Sequence, residues 1–214
     1  MQTLAQTKLE RFAALVLERN RQVNLTSARD AATLREHIDD SLTLLPYVRA
    51  PHVDVGSGAG FPGLVLAIVA GVPVTLIESV GKKARFLQEA AATLELDVTV
   101  LNARAEEIGH DARFRERFAS ASARAVSTAP TVLEFLLPLL CVDGLALVQR
   151  GTIEEAERRA LLDAAQMLGG VVEEDISVAG SRERHIVLVR KAKPTAPRFP
   201  RRGGLARKRP LSVG

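Results

Sequence analysis

The sequence has very little cysteine, and this scarcity limits the kinds of protein it can encode. Cys141 is the only cysteine among 214 residues, so an intrachain disulfide framework is excluded. A single thiol fits a reducing compartment, and we therefore expect a cytoplasmic protein. Cys141 lies between Leu140 and Val142 in an apolar run, which predicts a buried, inert side chain rather than a nucleophile.

The sequence also lacks a long uninterrupted apolar segment. The longest apolar stretch, 64–77, contains Gly71 and Pro73, so no membrane span is predicted. No basic start precedes an apolar core of the kind found in secretory leaders, and no metal site is predicted. Hydrophobic residues make up 47% of the chain, which excludes wholesale disorder, and the length fits one domain with some additions.

Acidic residues are missing from one end of the chain. The whole sequence has 29 basic and 25 acidic residues, a net charge of +4. Residues 190–214 contain nine of the basic residues and no acidic one, which leaves 20 basic against 25 acidic residues in the rest. A mildly acidic domain with a basic tail indicates a polyanionic partner.

Glycine is concentrated in one short stretch. Four glycines, Gly56, Gly58, Gly60 and Gly63, lie within eight residues, after a strand-like run that ends in Asp54-Val55. An apolar helical segment follows, so the unit is predicted to be a strand, a glycine turn and a helix. Such a turn lets a ligand approach the backbone and directs free N–H groups at it. We therefore expect a nucleotide-like cofactor here.

The glycines match two patterns with different cofactors. From Asp54 the order is Asp-x-Gly-x-Gly-x-Gly, which resembles the first motif of S-adenosylmethionine-dependent methyltransferases. From Gly58 the order is G-x-G-x-x-G, the dinucleotide pattern of a nicotinamide or flavin oxidoreductase. The second pattern leaves Gly56 and Ser57 between strand and turn and gives Asp54 no role. Glu78, at the end of the next strand, is placed to bind a cofactor ribose in either case.

Strand and helix signals alternate along most of the chain. Short β-rich runs near residues 52, 74, 98, 118 and 145 are each followed by a helical pattern, and two β-rich runs without a helix between them close the series. This order predicts an α/β fold with a mostly parallel sheet and an antiparallel C-terminal edge. We divide the chain into an N-terminal helical extension (1–50), a Rossmann-like domain (51–191) and a basic Pro/Gly-containing tail (192–214).

Two helices are predicted in the N-terminal extension. The second begins after Asp30, a good N-cap, and carries His37 and Asp40 three residues apart on one face. Their spacing alone favours an exposed surface pair over a substrate-cleft pair.

Short motifs along nearly the whole chain resemble the RsmG (GidB) family, bacterial methyltransferases that modify N7 of a guanine in 16S ribosomal RNA. The glycine turn with Phe61-Pro62-Gly63 is one of them. The others are Asn24-Leu25-Thr26-Ser27 with Arg29-Asp30, His37-Ile38 with Asp40-Ser41, Glu78-Ser79 with Lys82-Lys83 and Arg85-Phe86-Leu87, Arg104-Ala105-Glu106-Glu107, Ala123-Arg124-Ala125, Arg184-His185 and Phe199-Pro200-Arg201-Arg202.

The resemblance implies a class I methyltransferase fold, S-adenosylmethionine as cofactor, and small-subunit ribosomal RNA or a subunit assembly intermediate as substrate. It implies cofactor contacts at Gly56, Phe61, Ala105, Glu106 and Arg124, to which the glycine turn adds Ser57, Gly58 and Glu78. We expect a monomer.

Candidates for holding the target base and RNA are basic or aromatic. Arg124, His37 and Arg150 are the candidates for positioning the base, and RNA contacts are expected at Arg29, Arg198, Arg201, Arg202, Arg207, Lys208 and Arg209. No general base is expected, because guanine N7 has a lone pair and no proton. Two alternatives stay open, an oxidoreductase and a non-catalytic RNA-binding protein on a methyltransferase fold.

Overall fold

The computed structural model describes residues 3–124, 126–178 and 184–212. Its helices are α1 (Leu4–Asn20), α2 (Ala31–Leu42), α3 (Gly63–Ala70), α4 (Gly81–Thr93), α5 (Ala105–Ile108), α6 (Ala129–Leu136), α7 (Glu155–Leu168) and α8 (Leu205–Lys208), with short 3₁₀ turns at Leu45–Tyr47 and Leu137–Leu139. Its strands are β1 (His52–Val55), β2 (Val74–Ile77), β3 (Val98–Leu101), β4 (Phe118–Arg124), β5 (Leu140–Arg150), β6 (Gly170–Val178) and β7 (Arg184–Lys191).

The seven strands form one sheet in the order β3-β2-β1-β4-β5-β7-β6. The first five strands pair in parallel, and β7 is antiparallel to both β5 and β6. The predicted fold class, a mostly parallel sheet with an antiparallel strand near its C-terminal edge and helices before it, is confirmed. Because β1 to β5 run in one direction, the loops after all five strands meet at one edge of the sheet.

Helices cover both faces of this sheet. On β2, Leu76 packs in a core with α1, α2, α3 and α4, whereas its neighbour Ile77 packs in a second core with α5, α6 and α7. Adjacent residues face opposite sides because side chains alternate along a strand. The predicted N-cap Asp30 begins α2, where its side chain accepts from the Thr33 N–H. Among the described residues, no helix is long and apolar enough to span a membrane.

The central strand β4 has a polar sequence of small residues, which is unusual for a buried strand. Its register explains the composition, because Ser120 lies opposite His52 and Ser122 opposite Asp54 on β1. The two hydroxyls contact these buried side chains, so the strand uses serine where a typical central strand has Val or Ile. Cys141, predicted to be buried, is only partly so.

The basic tail packs against the domain. Phe199, Ala206 and Leu211 are buried in the same core as Val53 of β1 and Leu133 of α6. Arg115 donates to the carbonyl oxygens of residues 195, 196 and 199 at 2.7–3.3 Å. The segment that follows β7 therefore lies along the side of the sheet covered by α6.

Candidate active site

The glycine turn follows β1 directly and has a backbone that favours glycine. The φ angles of Gly56, Gly58 and Gly60 are +73°, +56° and +100°. The N–H of Gly56 donates to the carbonyl oxygen of Ile77 at 2.8 Å, which ties the turn to the end of β2. A Cβ on Gly58 would meet nothing closer than the Gly56 oxygen at 3.7 Å, so the protein itself leaves space beside this residue.

Glu78 is buried at the end of β2, and its carboxylate faces the turn. One oxygen accepts from the Gly58 N–H at 2.9 Å and the other from the Val80 N–H at 2.7 Å. The side chain of Asn102 donates to the Glu78 carbonyl oxygen at 2.9 Å. The carboxylate is thus held in one orientation between the glycine turn and the start of α4.

Asp54 of β1 contacts Gly63, the last glycine of the turn, through its side chain. Its side chain is fully buried, with one oxygen 3.2 Å from the Gly63 N–H and the other 2.8 Å from the Ser122 hydroxyl. Burial raises the pKa of Asp54 to about 6, and hydrogen bonds from Ser122 and Ser57 with the charge of Arg124 oppose that shift. The acidic residue that the methyltransferase pattern expects therefore shapes the turn.

His52 extends this contact into a buried network. Its Nδ1 lies 2.8 Å from the Ser120 hydroxyl and its Nε2 lies 3.0 Å from the Ser122 hydroxyl. Ser120 uses its only proton to donate to the Arg49 carbonyl oxygen at 2.6 Å, so Nδ1 carries the hydrogen of that contact.

The hydrogen count of the network favours a neutral acid. Ser122 donates to Asp54 while the acid is ionised, and its single proton is then not available to Nε2 of His52. Once Asp54 is protonated, the acid can donate to Ser122, and Ser122 can donate to Nε2 of the neutral imidazole. Burial lowers the pKa of His52 to about 3, which keeps the imidazole neutral. His52, Ser122 and Asp54 thus form a buried chain in which every hydrogen-bonding contact is satisfied when the acid carries the proton.

A narrow cleft opens beside the glycine turn, with about 360 Å³ of empty space that includes open solvent. Its lining includes Gly56 together with Ala105 and Glu106 at the start of α5, which are three of the residues predicted to contact the cofactor. Phe135 of α6 and Arg207 of α8 also line this cleft.

A wider and more open cleft lies where β4 and β5 end, with about 1220 Å³ of empty space, part of it open solvent. It is lined by all three candidates for positioning the base, His37, Arg124 and Arg150. Asp40 and Arg184 line the same cleft.

Phe61 connects the glycine turn with the wide cleft. The guanidinium carbon of Arg124 lies 5.2 Å from the centroid of the Phe61 ring, and the His37 ring lies 5.5 Å from it. A guanidinium and a tilted imidazole ring thus both lie against one aromatic side chain of the turn. Phe61, Arg124 and His37 come from three separate parts of the sequence.

The interpretation of His37 and Asp40 as an exposed surface pair is wrong. Asp40 is 7% exposed and accepts from Arg124 at 3.0 Å and from Arg184 at 2.7 Å. The amide of Gln149 donates to the same carboxylate at 3.1 Å. Burial and the neighbouring charge of Arg124 lower the pKa of His37, although Asp40 opposes the shift. Helical spacing could not reveal these contacts, since the partners lie more than 80 residues away.

Arg150 also has partners within the fold. Its guanidinium donates to the carbonyl oxygen of Ser127, in the loop after β4, and to the Glu157 carboxylate on α7 at 2.9 Å. It lies in the wide cleft as predicted but ties the loop to a helix there. A role in positioning the base stays a prediction.

The residues predicted to bind RNA are dispersed. Arg29 lies in a separate surface hollow with Asn20 and Arg21. Arg201 donates to Glu134, a fully buried carboxylate, through two nitrogens at 2.9 and 2.7 Å. Arg198, Arg202, Arg207, Lys208 and Arg209 are exposed and form no ion pair with the described residues.

Two of the nine basic residues in 190–214 lie in β7, before the tail, and have partners within the fold. Lys191 is buried at the end of β7, where it donates to Glu116 and to two carbonyl oxygens at 2.7–2.9 Å. Arg190 pairs with Glu173 and Asp143. Within 190–214, the basic side chains without an acidic partner among the described residues therefore all follow β7.

The sequence matches the family model for GidB, described as rRNA small subunit methyltransferase G, over residues 5–187. The chain belongs to the GidB family. Ribosomal RNA small subunit methyltransferase G of Roseiflexus castenholzii is 40% identical, with 97% of this chain and 94% of that protein covered. The protein with this name from Leuconostoc citreum is 35% identical, with 98% of this chain and 94% of that protein covered.

Solved structures of other proteins share the fold of this chain at low sequence identity. An O-methyltransferase from Bacillus cereus, in complex with SAH, matches with a TM-score of 0.61 and 17% identity over 86% of this chain and 91% of that one. A branched-chain polyamine synthase from Thermus thermophilus matches with a TM-score of 0.64 and 14% identity over 88% of this chain and 64% of that one. Both likenesses concern the fold alone.

Several residues with buried polar partners had no role predicted from the sequence. Arg184 was part of a motif without a role, and Asp40 was assigned to the surface. Ser122 and Glu134 lie in segments whose local pattern shows only a strand and a helix. Each becomes informative through a partner that the fold brings from a distant part of the chain.

Proposed function

We propose that the protein transfers a methyl group from S-adenosylmethionine to N7 of one guanine in 16S ribosomal RNA. Membership in the GidB family across most of the chain carries this proposal. The chemistry of the two clefts agrees with it, since one suits a nucleoside cofactor and the other a base with its phosphates.

The residues around the narrow cleft suit the methyl donor. Small residues, Gly56 and Ala105, line this cleft, and the space beside Gly58 is open. The Glu78 carboxylate keeps acceptor capacity for sugar hydroxyls, because each oxygen has two lone pairs and accepts one backbone N–H. Gly56, Ser57, Gly58, Phe61, Glu78, Ala105, Glu106 and Arg124 are the residues that we assign to cofactor binding. When bound, the cofactor supplies an electrophilic methyl group.

The wide cleft fits a guanine nucleotide. Arg124 and Arg184 present guanidinium donors, and the guanine O6 and phosphate oxygens are acceptors. His37, which lines this cleft, adds a flat ring on which a base can stack. Because N7 has no proton to lose, the work of these residues is to hold the base in line with the methyl donor. Orientation of this kind is worth about 7–11 kcal/mol.

We infer that the exposed cations of the tail bind RNA phosphates. Arg198, Arg202, Lys208 and Arg209 are exposed, whereas Arg201 is held by Glu134. Each phosphate that is neutralised adds about −0.7 to the slope of log affinity against log salt on single-stranded RNA. Replacing these four residues by glutamine is expected to flatten the slope and leave cofactor affinity unchanged. An unchanged slope would contradict a role for the tail in RNA binding.

We extend the proposal to the compartment, the oligomeric state and the form of the RNA substrate. We infer that the protein acts as a cytoplasmic monomer on ribosomal RNA or on an assembly intermediate of the small subunit. The helical extension would form one wall of the base cleft, because it supplies His37 and Asp40. Methylation assays on naked RNA, on precursor particles and on mature subunits distinguish the substrates.

Mass spectrometry of ribosomal RNA tests the activity. Small-subunit RNA from cells that lack the protein should miss one 7-methylguanine, and the purified protein should restore it. RNA that is modified equally with and without the protein would support the non-catalytic alternative. Calorimetric titration addresses the oxidoreductase, because tight NADH binding without any response to the methyl donor would contradict the proposal.

Valine variants at Gly58 and Gly71 form a matched pair that tests the cofactor site. Gly58 and Gly71 have similar φ angles, +56° and +62°, and a Cβ on either would meet no atom closer than 3.7 Å. Valine at either position therefore introduces similar backbone strain. Gly58→Val is expected to abolish cofactor binding and Gly71→Val to leave it intact, since only Gly58 belongs to the turn.

A further inference from the structure

The C-terminal segment is fixed where it passes α6. Thr131 of α6 donates to the carbonyl oxygen of Ala206 at 3.0 Å, and Ala206 is fully buried. The pair of Arg201 with Glu134, also on α6, holds the residues just before it. Leu211, on the far side of α8, is 6% exposed. The short helix α8 is therefore anchored on both sides and by its own backbone.

This anchoring places one cation at the narrow cleft. Arg207 follows Ala206 and lines the cleft together with Gly56, Ala105 and Glu106. Its guanidinium carbon lies 6.0 Å from the centroid of the Phe135 ring, which lines the same side. Lys208, the next residue, is exposed and does not line this cleft.

The chemistry of Arg207 suits a nucleoside. A guanidinium is flat, weakly hydrated and able to stack on an aromatic ring, and Arg207 already lies near one. A purine offers the same kind of surface and has ring nitrogens that accept hydrogen bonds. Arg207 forms no ion pair with residues of the described ranges, and the carboxylate of Glu106, which lines the same cleft, is not within ion-pair distance of it.

We propose that Arg207 is a cofactor-binding residue, whose guanidinium contacts the nucleoside of the methyl donor at the outer side of the narrow cleft. This inference rests on the proposed function. It assigns Arg207 to the cofactor and not to RNA, and it makes the C-terminal segment part of the methyl-donor site.

Calorimetric titration of the full-length protein with S-adenosylhomocysteine tests the inference without any methyl transfer. Arg207→Ala is expected to raise the dissociation constant about threefold to tenfold, the usual effect of losing a cation from an aromatic face. Arg207→Lys should have an intermediate effect, because it keeps the charge and loses the flat group. Lys208→Ala, on the same helix, is the matched control and should change the constant less than about twofold.

The outcomes separate the inference from the proposed function. Equal affinities of the wild type and Arg207→Ala for S-adenosylhomocysteine would overturn the inference alone, and an accompanying loss of RNA affinity would assign Arg207 to RNA. A wild type that does not bind S-adenosylhomocysteine would overturn both. Arg207 is exposed, so the variant is expected to melt like the wild type, which scanning calorimetry verifies.

Discussion

Asp40 of α2 and Arg124 at the end of β4 form an ion pair of 3.0 Å that joins the helical extension to the sheet. Both partners are largely buried, with side chains 9% and 16% exposed. Arg184 of β7 binds the other oxygen of the same carboxylate. One acidic side chain thus fixes two arginines that face the wide cleft.

Replacing Asp40 by asparagine is expected to lower both stability and activity. The change leaves two guanidinium groups near each other without their anion, and breaking a buried pair costs about 3–5 kcal/mol. Scanning calorimetry measures the loss of stability. Single-turnover methylation by the folded fraction should fall at least about tenfold, because Arg124 loses its fixed orientation.

Asp39 provides the control for that variant. It pairs with Arg35 on the exposed side of the same helix, where both side chains are more than half exposed. Asp39→Asn should therefore change stability by less than about 1 kcal/mol and leave methylation unaffected. Equal behaviour of the Asp39 and Asp40 variants would refute a special role for Asp40.

Glu78→Ala is expected to weaken cofactor binding at least about tenfold. The variant removes the acceptor proposed for the sugar hydroxyls, and hydrogen bonds to charged groups are worth about 1.5–3 kcal/mol each. It also removes the partner of the Gly58 and Val80 N–H groups. Titration with S-adenosylhomocysteine measures the effect. Glu78→Gln, which keeps one acceptor oxygen, should lie between, whereas an unaltered affinity in both variants would place the ribose elsewhere.

The buried chain of His52, Ser122 and Asp54 predicts a specific pH dependence of stability. The raised pKa of Asp54 gives a contribution that is present below pH ~4 and is lost as pH rises through about 6. The lowered pKa of His52 gives a contribution that is present above pH ~6.5 and is lost as pH falls toward about 3. Between about pH 4 and 6 the two slopes cancel.

Asp54→Asn separates the two contributions. The asparagine can accept from Gly63 through its oxygen and donate to Ser122 through its nitrogen, as the protonated acid does. In this variant, only the His52 imidazole still contributes to the pH dependence of the free energy of unfolding. The stability of the wild type minus that of the variant should fall by up to about 1.4 kcal/mol per pH unit from about pH 4 to 6. Calorimetric melts across this range measure it, and a constant difference would contradict a protonated Asp54.

Arg201→Ala is expected to destabilise the whole domain. Glu134 is fully buried, and without Arg201 its charge has no guanidinium partner, a loss of about 3–5 kcal/mol. Arg202→Ala, one residue further and exposed, should stay within about 0.5 kcal/mol of the wild type in denaturant melts. Equal melting of the two variants would mean that the tail does not stabilise the domain.

The methyl-transfer step is expected to be independent of any single ionising side chain. His37 is the imidazole of the wide cleft, and its pKa is lowered by burial. Single-turnover rates of the wild type and His37→Gln should therefore follow pH profiles of the same shape, even where the rates differ. A limb that disappears with His37 while RNA binding is intact would identify a general base.

The order of elements and the glycine turn could be predicted because both are local features of the sequence. Periodicity located β1 and α3, and Gly56 to Gly63 specified the turn between them. Asp40 was misplaced because its partners, Arg124 and Arg184, come from strands that only the folded sheet brings to α2. Local patterns determine an element, whereas long-range pairing determines the role of its polar residues.

The tail illustrates the same limit for charge. The composition of residues 190–214, nine cations without an anion, indicated a basic arm that binds RNA. Arg190, Lys191 and Arg201 instead have acidic partners within the domain. Each acid precedes its own cation by between 17 and 75 residues, so a short window of the sequence does not show the two charges as a pair.

The packing of the tail also has a consequence for synthesis. Leu211 and Ala206 belong to the same buried cluster as Val53, although about 150 residues separate them along the chain. A growing chain cannot complete this cluster until residue 211 has emerged from the ribosome, and Glu134 is without its arginine until residue 201 has done so. The nascent domain therefore stays only partly consolidated until these residues have emerged, and Arg207 reaches the narrow cleft when Ala206 joins the core.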